Sequence, residues 1–210
     1  MDTLIFYLDI FGTISFAVAA SLMAYKKNLD PFGIIVVAIF TSIGGGTIRD
    51  ILLRNYPIFW IDNILYLSVI ISSSLLTQFF YRYISKKEDI LLFFDAIGIG
   101  VFTIIGIKTA LKFDVHPLIC IMMGTITAVF GGLVRDVVCN EIPVILHREL
   151  YATLCIMGGA VFFIMSFLGI NNNLSYIFSM LFIIITRIIA IRLNLSLNDL
   201  IFRSHMEGKR

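Results

Sequence analysis

The sequence has few charged residues. Of its 210 residues 14% are charged, whereas 59% are hydrophobic, and the mean hydropathy is +0.97. A soluble domain of this length would need more polar surface than this composition supplies. The net charge of +2 is also too small to indicate a nucleic-acid partner. The composition therefore indicates an integral membrane protein.

Cysteines and catalytic motifs are scarce as well. Cys120, Cys139 and Cys155 are odd in number and lack the spacing of a metal site, so we expect each to be a small buried residue. The sequence contains no HExxH, Walker or GxSxG pattern and no recognisable set of nucleophile and base. We therefore expect neither an enzyme nor a tightly bound cofactor.

Apolar runs account for most of the chain. A helix needs about 20 apolar residues to cross a bilayer. Seven runs are long enough, and the linkers between them are too short for a soluble domain. We therefore predict a single transmembrane domain over residues 1–203, whereas SHMEGKR at 204–210 resembles an appended tail. The predicted spans are 4–25, 31–53, 58–81, 90–111, 117–139, 149–169 and 174–193.

The positive charges fall mainly on one side of the predicted spans. They follow the first, third, fifth and seventh spans, whereas the loops on the other side hold only Arg54 and Lys112. Because loops rich in lysine and arginine stay in the cytoplasm, we predict that the N-terminus is outside and the C-terminus is cytoplasmic. The residues of the cytoplasmic set are Lys26, Lys27, Arg82, Lys86, Lys87, Arg148, Arg192 and Arg203.

One motif occurs twice, since residues 44–50 read GGGTIRD and residues 131–136 read GGLVRD. A shift of 86 positions aligns the two halves of the chain without a gap. We therefore predict an all-α membrane protein of seven helices: two repeats of three helices, at about 4–83 and 90–169, and an additional helix at about 174–193. Because three is odd, the second repeat crosses the membrane in the opposite direction. The aligned pairs include Asp9 with Asp95, Pro31 with Pro117, Thr41 with Thr127, Gly45 with Gly131, Arg49 with Arg135, and Pro57 with Pro143.

The repeated glycines lie within the second helix of each repeat. Each glycine weakens a helix by about 1 kcal/mol relative to alanine, so the clusters favour a kink or an unwound segment near the middle of the bilayer. Helix carbonyls that end there carry partial negative charge and, with nearby hydroxyls, favour a cation over an anion. Close packing of two helices is the alternative explanation. The candidate pathway residues are Thr41, Ser42, Gly44, Gly45, Gly46, Thr127, Gly131 and Gly132.

Charged residues inside the spans are functional candidates because they are costly in lipid. An arginine and an aspartate that are neighbours on a helix point about 100° apart and should not face each other. We expect the arginine of each motif to pair instead across the repeats, with Asp9 or Asp95 or with the aspartate of the other motif. Alternatively, the arginines lie near the interfaces and extend to water. The candidates for charge pairs or gating are Arg49, Asp50, Arg135, Asp136, Asp9 and Asp95.

Two further cations lie inside predicted spans. Lys108, in the fourth span, could face the pathway, where it would repel cations or act as a gate, or it could lie at the outer interface. Arg187, in the seventh span, allows the same two interpretations. The sequence alone leaves both of them open.

Together these features resemble a known family. The two glycine motifs, the prolines that follow them and seven spans in two inverted triplets are similar to the prokaryotic branch of the trimeric intracellular cation channels, a family also labelled as a putative glycine transporter domain. The resemblance covers about residues 1–200. It implies a homotrimer in a prokaryotic inner membrane. Each subunit would have a pore for K⁺ and Na⁺ that is lined by the kinked second and fifth helices.

The motif differs in detail from the pattern of the family. Phe130 stands where a third glycine of the second copy could be, so the resemblance implies a less complete kink there. Animal members have Lys-Glu before the first glycines and use that region for an anionic lipid, whereas Ser42 and Ile43 occupy those places here. Membrane lipids are nevertheless expected ligands.

Two other functions suit the same sequence. A secondary transporter of a small zwitterion such as glycine would also use inverted repeats and broken helices. A structural membrane protein without transport would use the glycines for packing alone. Unitary currents would indicate a channel and saturable uptake a transporter, whereas a purely structural protein would give neither.

Overall fold

The computed structural model describes residues 3–84, 89–147 and 150–193, and every regular element in these ranges is an α-helix. The predicted tail at 204–210 and four of the predicted cytoplasmic cations, Lys86, Lys87, Arg148 and Arg203, lie outside the described residues. The helices are α1 (Thr3–Lys26), α2 (Pro31–Leu53), α3 (Phe59–Asp62), α4 (Leu65–Ile84), α5 (Asp89–Leu111), α6 (Pro117–Val138), α7 (Val144–His147), α8 (Ala152–Phe167) and α9 (Asn172–Arg192).

Five of the described helices, α1, α2, α5, α6 and α9, are long and apolar enough to cross a membrane. The helix α8 is also apolar but has only 16 residues, so the predicted span at 149–169 is shorter in the structure. The predicted span at 58–81 is divided, because Asn63 has extended backbone between α3 and α4. Short helices therefore precede both α4 and α8.

The helices α2 and α6 begin with the same local arrangement. The Asp30 side chain accepts a hydrogen bond of 2.6 Å from the amide three residues on, and Pro31 takes the first helical position. The His116 side chain accepts one of 3.2 Å from the amide two residues on, and Pro117 follows it. Both features favour a helix start, because a side-chain acceptor satisfies an open amide and proline has no amide to satisfy.

The turns after equivalent helices also match. Among the described residues, those other than glycine with positive φ are Asn28, Arg54, Asp114 and Asn140. They form two pairs that are 86 positions apart, which is the spacing of the repeated motif. Asn28 and Asp114 follow α1 and α5, whereas Arg54 and Asn140 follow α2 and α6. The chain therefore leaves equivalent helices through equivalent turns.

The helix α5 lies at the centre of the described helices and packs against α1, α6, α8 and α9. Its apolar segment is 72% buried inside the protein, which is more than in the other four long helices. The rings of Phe16 and Phe102, with centroids 5.0 Å apart, join α1 to α5. On either side of this core, α4 packs against α1 and α2, and α8 packs against α6 and α9. The arrangement places α2 against α6 and thereby brings the two glycine motifs together.

Candidate functional site

Both glycine motifs lie on continuous helices. The helix α2 runs from Pro31 to Leu53 and α6 from Pro117 to Val138, with helical structure at every glycine of the motifs. The predicted unwound segment is therefore wrong for this structure. The reason is that neighbouring helices supply packing that an isolated helix lacks, and this packing outweighs the low helix propensity of glycine.

The glycines instead allow the backbones of α2 and α6 to touch. A Cβ atom added at Gly45 would overlap the Thr127 carbonyl oxygen, and one added at Gly131 would overlap the Thr41 carbonyl oxygen. The two contacts are equivalent in the repeat, because Gly45 aligns with Gly131 and Thr41 aligns with Thr127. Only a residue without a side chain permits such close approach of two helices. The packing interpretation of these two glycines is therefore confirmed.

The hydroxyls next to this crossing already have partners. Thr41 and Thr127 each donate to the backbone carbonyl four residues earlier, at 2.7 and 2.6 Å. Ser42 donates to the Thr13 carbonyl of α1 at 3.4 Å. All three side chains are buried. In this structure each hydroxyl proton is used in a hydrogen bond to a backbone carbonyl of a helix. Each hydroxyl oxygen can still accept a further bond.

The last glycine of each motif lies against an aromatic side chain. A Cβ added at Gly46 would lie 2.5 Å from the Phe59 ring, and one added at Gly132 would lie 2.7 Å from Tyr151 Oη. Gly44 makes only an ordinary contact at its Cβ position, 3.8 Å from the nearest atom. An aromatic side chain therefore lies beside each of these two glycines, through its ring at Gly46 and through its hydroxyl at Gly132.

Each arginine of the motifs contacts its own neighbour. Arg49 Nε lies 2.9 Å from Asp50 Oδ1, and Arg135 Nε lies 2.9 Å from Asp136 Oδ1. The prediction that neighbours do not face each other is wrong here, because an arginine side chain is long enough to curve back. The alternative that the arginines extend to water is also wrong, since Arg49 is 5% exposed and Arg135 is 1% exposed.

The two motif aspartates also hold the turns that follow their helices. Asp50 accepts hydrogen bonds from the Phe59 amide at 3.1 Å and from Asn55 Nδ2 at 3.0 Å. Asp136 accepts one from the Val144 amide at 2.9 Å. The second turn is one residue shorter than the first, so the alignment of the two halves without a gap is wrong after Pro57 and Pro143.

The second half of the chain forms a cluster that we call the closed cluster, consisting of Asp95, Arg135, Asp136 and Tyr151. Arg135 Nη1 lies 2.7 Å from Asp95 Oδ1, and Tyr151 Oη donates to the same oxygen at 3.4 Å. Asp95 and Tyr151 are also about 1% exposed. Asp95 is one of the partners expected for the motif arginines, and its pair with Arg135 is present. The pair lies within one half of the chain, however, so the expectation that it joins the two repeats is wrong.

The corresponding residues of the first half are arranged differently. Asp9 accepts a hydrogen bond of 2.7 Å from Tyr66 Oη, but within the described part of the chain no ion pair joins it to Arg49. A cavity of about 320 Å³, which we call the charged cavity, lies beside them. The rings of Phe59 and Tyr66 form part of its wall. Its charged lining residues are Asp9, Arg49, Lys108 and Lys112.

Lys108 and Arg187, the two further cations inside the predicted spans, have different surroundings. Lys108 lines the charged cavity, with its Nζ 5.6 Å from the centroid of the Tyr176 ring of α9, a distance at which a cation–π contact forms. Its role in the pathway stays a prediction. Arg187 is buried and its Nη1 donates to the Leu150 carbonyl at 2.6 Å. The interface interpretation is therefore wrong for Arg187.

Sequence reasoning missed the two tyrosines. Tyr66 and Tyr151 each donate to the aspartate in the first helix of their own half, Asp9 or Asp95. They are 85 positions apart, so an alignment at a strict spacing of 86 separates them. Allowing one deletion in the turn after the motif would have paired them.

Comparison with known proteins places this geometry in a family. A family model described as glycine transporter matches residues 6–82 and 92–166, which together are more than two thirds of the chain. The chain belongs to this family. The two matched stretches of this glycine transporter family start 86 positions apart, at the spacing of the repeated motif.

Relatives in the family are membrane proteins. The UPF0126 membrane protein of Vibrio cholerae is 42% identical over 199 residues, which cover 94% of this chain and 83% of that protein. The UPF0126 inner membrane protein YadS of Escherichia coli K12 is 44% identical over 159 residues, which cover 75% of this chain and 77% of that protein. The similarity therefore extends well beyond the two glycine motifs.

Solved structures of family members have the same fold. The trimeric intracellular cation (TRIC) channel orthologue from Rhodobacter sphaeroides is 34% identical with a TM-score of 0.88, over 92% of this chain and 100% of that chain. A prokaryotic TRIC channel in 0.5 M KCl is 30% identical with a TM-score of 0.87, over 94% and 100%. This chain is therefore an all-helical membrane protein with the fold of the TRIC channels.

Proposed function

We propose that this protein is a channel for the monovalent cations K⁺ and Na⁺. The observation that carries the proposal is the match to the two TRIC channel structures, at 30% identity or more over more than nine tenths of the chain. A third solved structure, of a TRIC cation channel, is 36% identical over 91% of the chain. The stretches that the family model matches include both motifs.

The proposed architecture has seven transmembrane helices in two inverted repeats, with α1, α2 and α4 in the first, α5, α6 and α8 in the second, and α9 added. The common spacing of the motifs, the left-handed turns and the matched family stretches supports a duplication. A repeat of three helices must reverse its direction in the second copy. The excess of lysine and arginine after α1 and α4 favours a cytoplasmic position for those ends.

The proposed ion pathway begins at the charged cavity, passes the crossing of α2 and α6, and ends at the closed cluster. At the crossing, Gly45 and Gly131 let the two helices separate without any side chains that interlock. Separation would expose the carbonyls of Thr41 and Thr127, and carbonyl oxygens can replace the water around a K⁺ ion. The other proposed pathway residues, all within one helical turn of these glycines, are Ser42, Gly44, Gly46 and Gly132.

The arginines and aspartates have a proposed role in gating. Arg135 forms ion pairs with both Asp95 and its neighbouring aspartate, whereas Arg49, among the described aspartates, pairs with its neighbour and not with Asp9, which lines the cavity. We propose that opening moves Arg135 away from Asp95, into the arrangement that Arg49 has in this structure. Lys108 and Lys112 would then set the local potential at the other end.

We further propose that the protein is a homotrimer in a prokaryotic inner membrane, with one pathway in each subunit and with membrane lipids as its ligands. The R. sphaeroides relative is described as trimeric and YadS as an inner membrane protein. Chemical cross-linking in native membranes tests the assembly. Bands that end at three subunits support the trimer, whereas a ladder that ends at two contradicts it.

A secondary transporter of a small zwitterion is the second candidate. The observation that favours it is a cavity with both cationic and anionic lining residues at one end, combined with a closed cluster at the other end. Accessibility from one side at a time is what a transporter with inverted repeats requires. The family description as a glycine transporter agrees with this candidate.

Planar-bilayer recording of the purified protein in a K⁺ gradient separates these functions. Discrete openings that reverse near the K⁺ equilibrium potential support the channel. Silent bilayers together with saturable uptake of labelled glycine into proteoliposomes contradict the channel and support the transporter. A protein that gives neither current nor uptake is structural, and protein-free membranes provide the baseline for both assays.

A further inference from the structure

The helix α9 follows both repeats, and it contacts the closed cluster through Arg187. The guanidinium carbon of Arg187 lies 4.8 Å from the centroid of the Tyr151 ring. Its Nη1 donates a hydrogen bond of 2.6 Å to the Leu150 carbonyl. Arg187 therefore contacts two consecutive residues at the start of α8, and all three residues are buried. A cation–π contact is strongest in such a desolvated place.

Tyr151 in turn covers Asp95. Its Oη donates to Asp95 Oδ1 at 3.4 Å, and this oxygen is the one that Arg135 Nη1 contacts at 2.7 Å. Tyr151 directly precedes the first residue of α8, and its own side chain makes no capping hydrogen bond to the described amides of that helix. The position of its ring consequently depends on the contacts that the ring itself makes, and Arg187 supplies a charged one.

The matching tyrosine of the first half has a different support. Tyr66, which binds Asp9, packs edge-on against the Phe59 ring with centroids 4.8 Å apart. At that end α9 contributes the Tyr176 ring beneath Lys108, and not an arginine. A neutral ring thus supports the tyrosine at the charged cavity, whereas a buried cation supports the tyrosine of the closed cluster. The supports of the two tyrosines thus differ, as do the aspartates that they bind: Asp95 has an ion pair with Arg135, whereas Asp9 lines the charged cavity.

We propose that Arg187 is a positioning residue for the closed end of the pathway. By stacking on Tyr151 and holding the Leu150 carbonyl, it keeps Tyr151 on Asp95 and so favours the closed arrangement of Arg135. When the guanidinium is lost, the start of α8 loosens, Tyr151 leaves Asp95, and the closed end opens more often. The effect on current rests on the proposed channel function, but the effect on α8 does not.

Single-channel recording tests the effect on current. Arg187→Met should raise the ratio of open to closed time about tenfold, because the change removes a buried cation–π contact and a charge-assisted hydrogen bond. Arg187→Lys should leave the ratio of open to closed time close to the parental value, since it keeps the positive charge. The matched control is Arg192→Met on the same helix, whose side chain is exposed and should change the ratio less than about twofold.

Cys155 gives a readout that needs no current. Its thiol is buried one helical turn into α8 and donates to the backbone carbonyl four residues earlier at 3.6 Å. In a protein that also carries Cys120→Ala and Cys139→Ala, a hydrophilic maleimide should label Cys155 about tenfold faster in Arg187→Met, because local opening lets water reach the thiol. Arg192→Met should be labelled at the parental rate.

Tyr151→Phe separates positioning from general packing, because phenylalanine keeps the ring but lacks the hydroxyl that binds Asp95. Tyr151→Phe should itself raise the ratio of open to closed time, which provides a second test should Arg187→Met not fold. In the Tyr151→Phe protein, Arg187→Met should add less than about twofold, since both changes act through one contact. An undiminished effect of Arg187→Met in that background overturns the proposal.

The two readouts separate the possible failures. Faster labelling of Cys155 in Arg187→Met without any current in the parent supports the positioning role and contradicts the channel. Parental openings together with an unchanged ratio and unchanged labelling in Arg187→Met contradict the positioning role and leave the channel intact.

Discussion

Replacing Asp95 by asparagine should open the closed end of the proposed pathway. Asp95 Oδ1 lies 2.7 Å from Arg135 Nη1, and both side chains are 1% exposed. Removing one partner of a buried ion pair costs about 3–5 kcal/mol, because the other charge stays buried. Arg135 keeps a contact of 2.9 Å with Asp136, so we expect the low end of this range, about 3 kcal/mol.

This free energy changes gating when the ion pair exists only in the closed arrangement. A difference of about 3 kcal/mol corresponds to roughly a hundredfold change in an equilibrium constant. In bilayer recordings with K⁺, Asp95→Asn should therefore raise the ratio of open to closed time about a hundredfold, so that long closures become rare. Thermal unfolding in detergent, measured on the same samples, shows whether the variant is folded.

Asp9→Asn is the matched control, because Asp9 is the equivalent residue of the first half and has a tyrosine partner but no ion pair with Arg49 in the described structure. Loss of one hydrogen bond costs about 1 kcal/mol, so we expect a change of about fivefold or less. The reasoning is refuted when Asp95→Asn leaves the ratio unchanged, or when both variants change it equally.

Three further predictions concern the crossing, the charged cavity and the orientation. Gly45→Ala should lower the unfolding temperature by about 5 °C or more, because its Cβ overlaps the carbonyl of the facing helix, whereas Gly44→Ala has room and should change it by less than about 2 °C. Lys108→Met should raise K⁺ conductance about twofold in dilute KCl, and the gain should vanish in concentrated KCl, where ions screen the charge. A cysteine in place of Lys27 should react with a membrane-impermeant reagent only from the cytoplasmic side, and reaction from the outside would contradict the proposed orientation.

Local signals in the sequence predict well where the two helices that carry the motifs begin. The helices α2 and α6 start at Pro31 and Pro117, as expected, because proline in the first helical position acts without regard to neighbouring helices. The spacing of 86 residues likewise returns in the left-handed turns at Arg54 and Asn140. Both features depend on a few consecutive residues, which is why the sequence alone is sufficient for them.

Partners of the charged residues could be predicted only in part. The angle between neighbours on a helix describes the directions of their Cβ atoms, whereas an arginine side chain can bend back, as Arg49 does to reach Asp50. Arg135 reaches Asp95 because α5 and α6 pack against each other within one half of the chain. Helix periodicity does not contain this packing, so the sequence could not decide between partners in the same half and partners in the other half.

The glycines at the helix crossing could likewise not be interpreted from the sequence of one helix alone. Low helix propensity at Gly45 and Gly131 favours a break, but the facing carbonyls of α6 and α2 fill the space that a side chain would need. The cost of the glycines is thus offset by contacts that exist only once both helices are in place. Propensity describes one helix, and the outcome here depends on two.

The different states of the two ends bear directly on the choice between channel and transporter. Both halves contain the same arginine and aspartate, yet Arg135 covers Asp95 while Asp9 stays beside a cavity. A channel conducts with both ends open at once, so weakening the closed cluster should increase its current. A transporter must close one end before the other opens, so the same change would uncouple it and reduce accumulation of substrate. The sign of the effect of Asp95→Asn therefore distinguishes the two functions, whatever its magnitude.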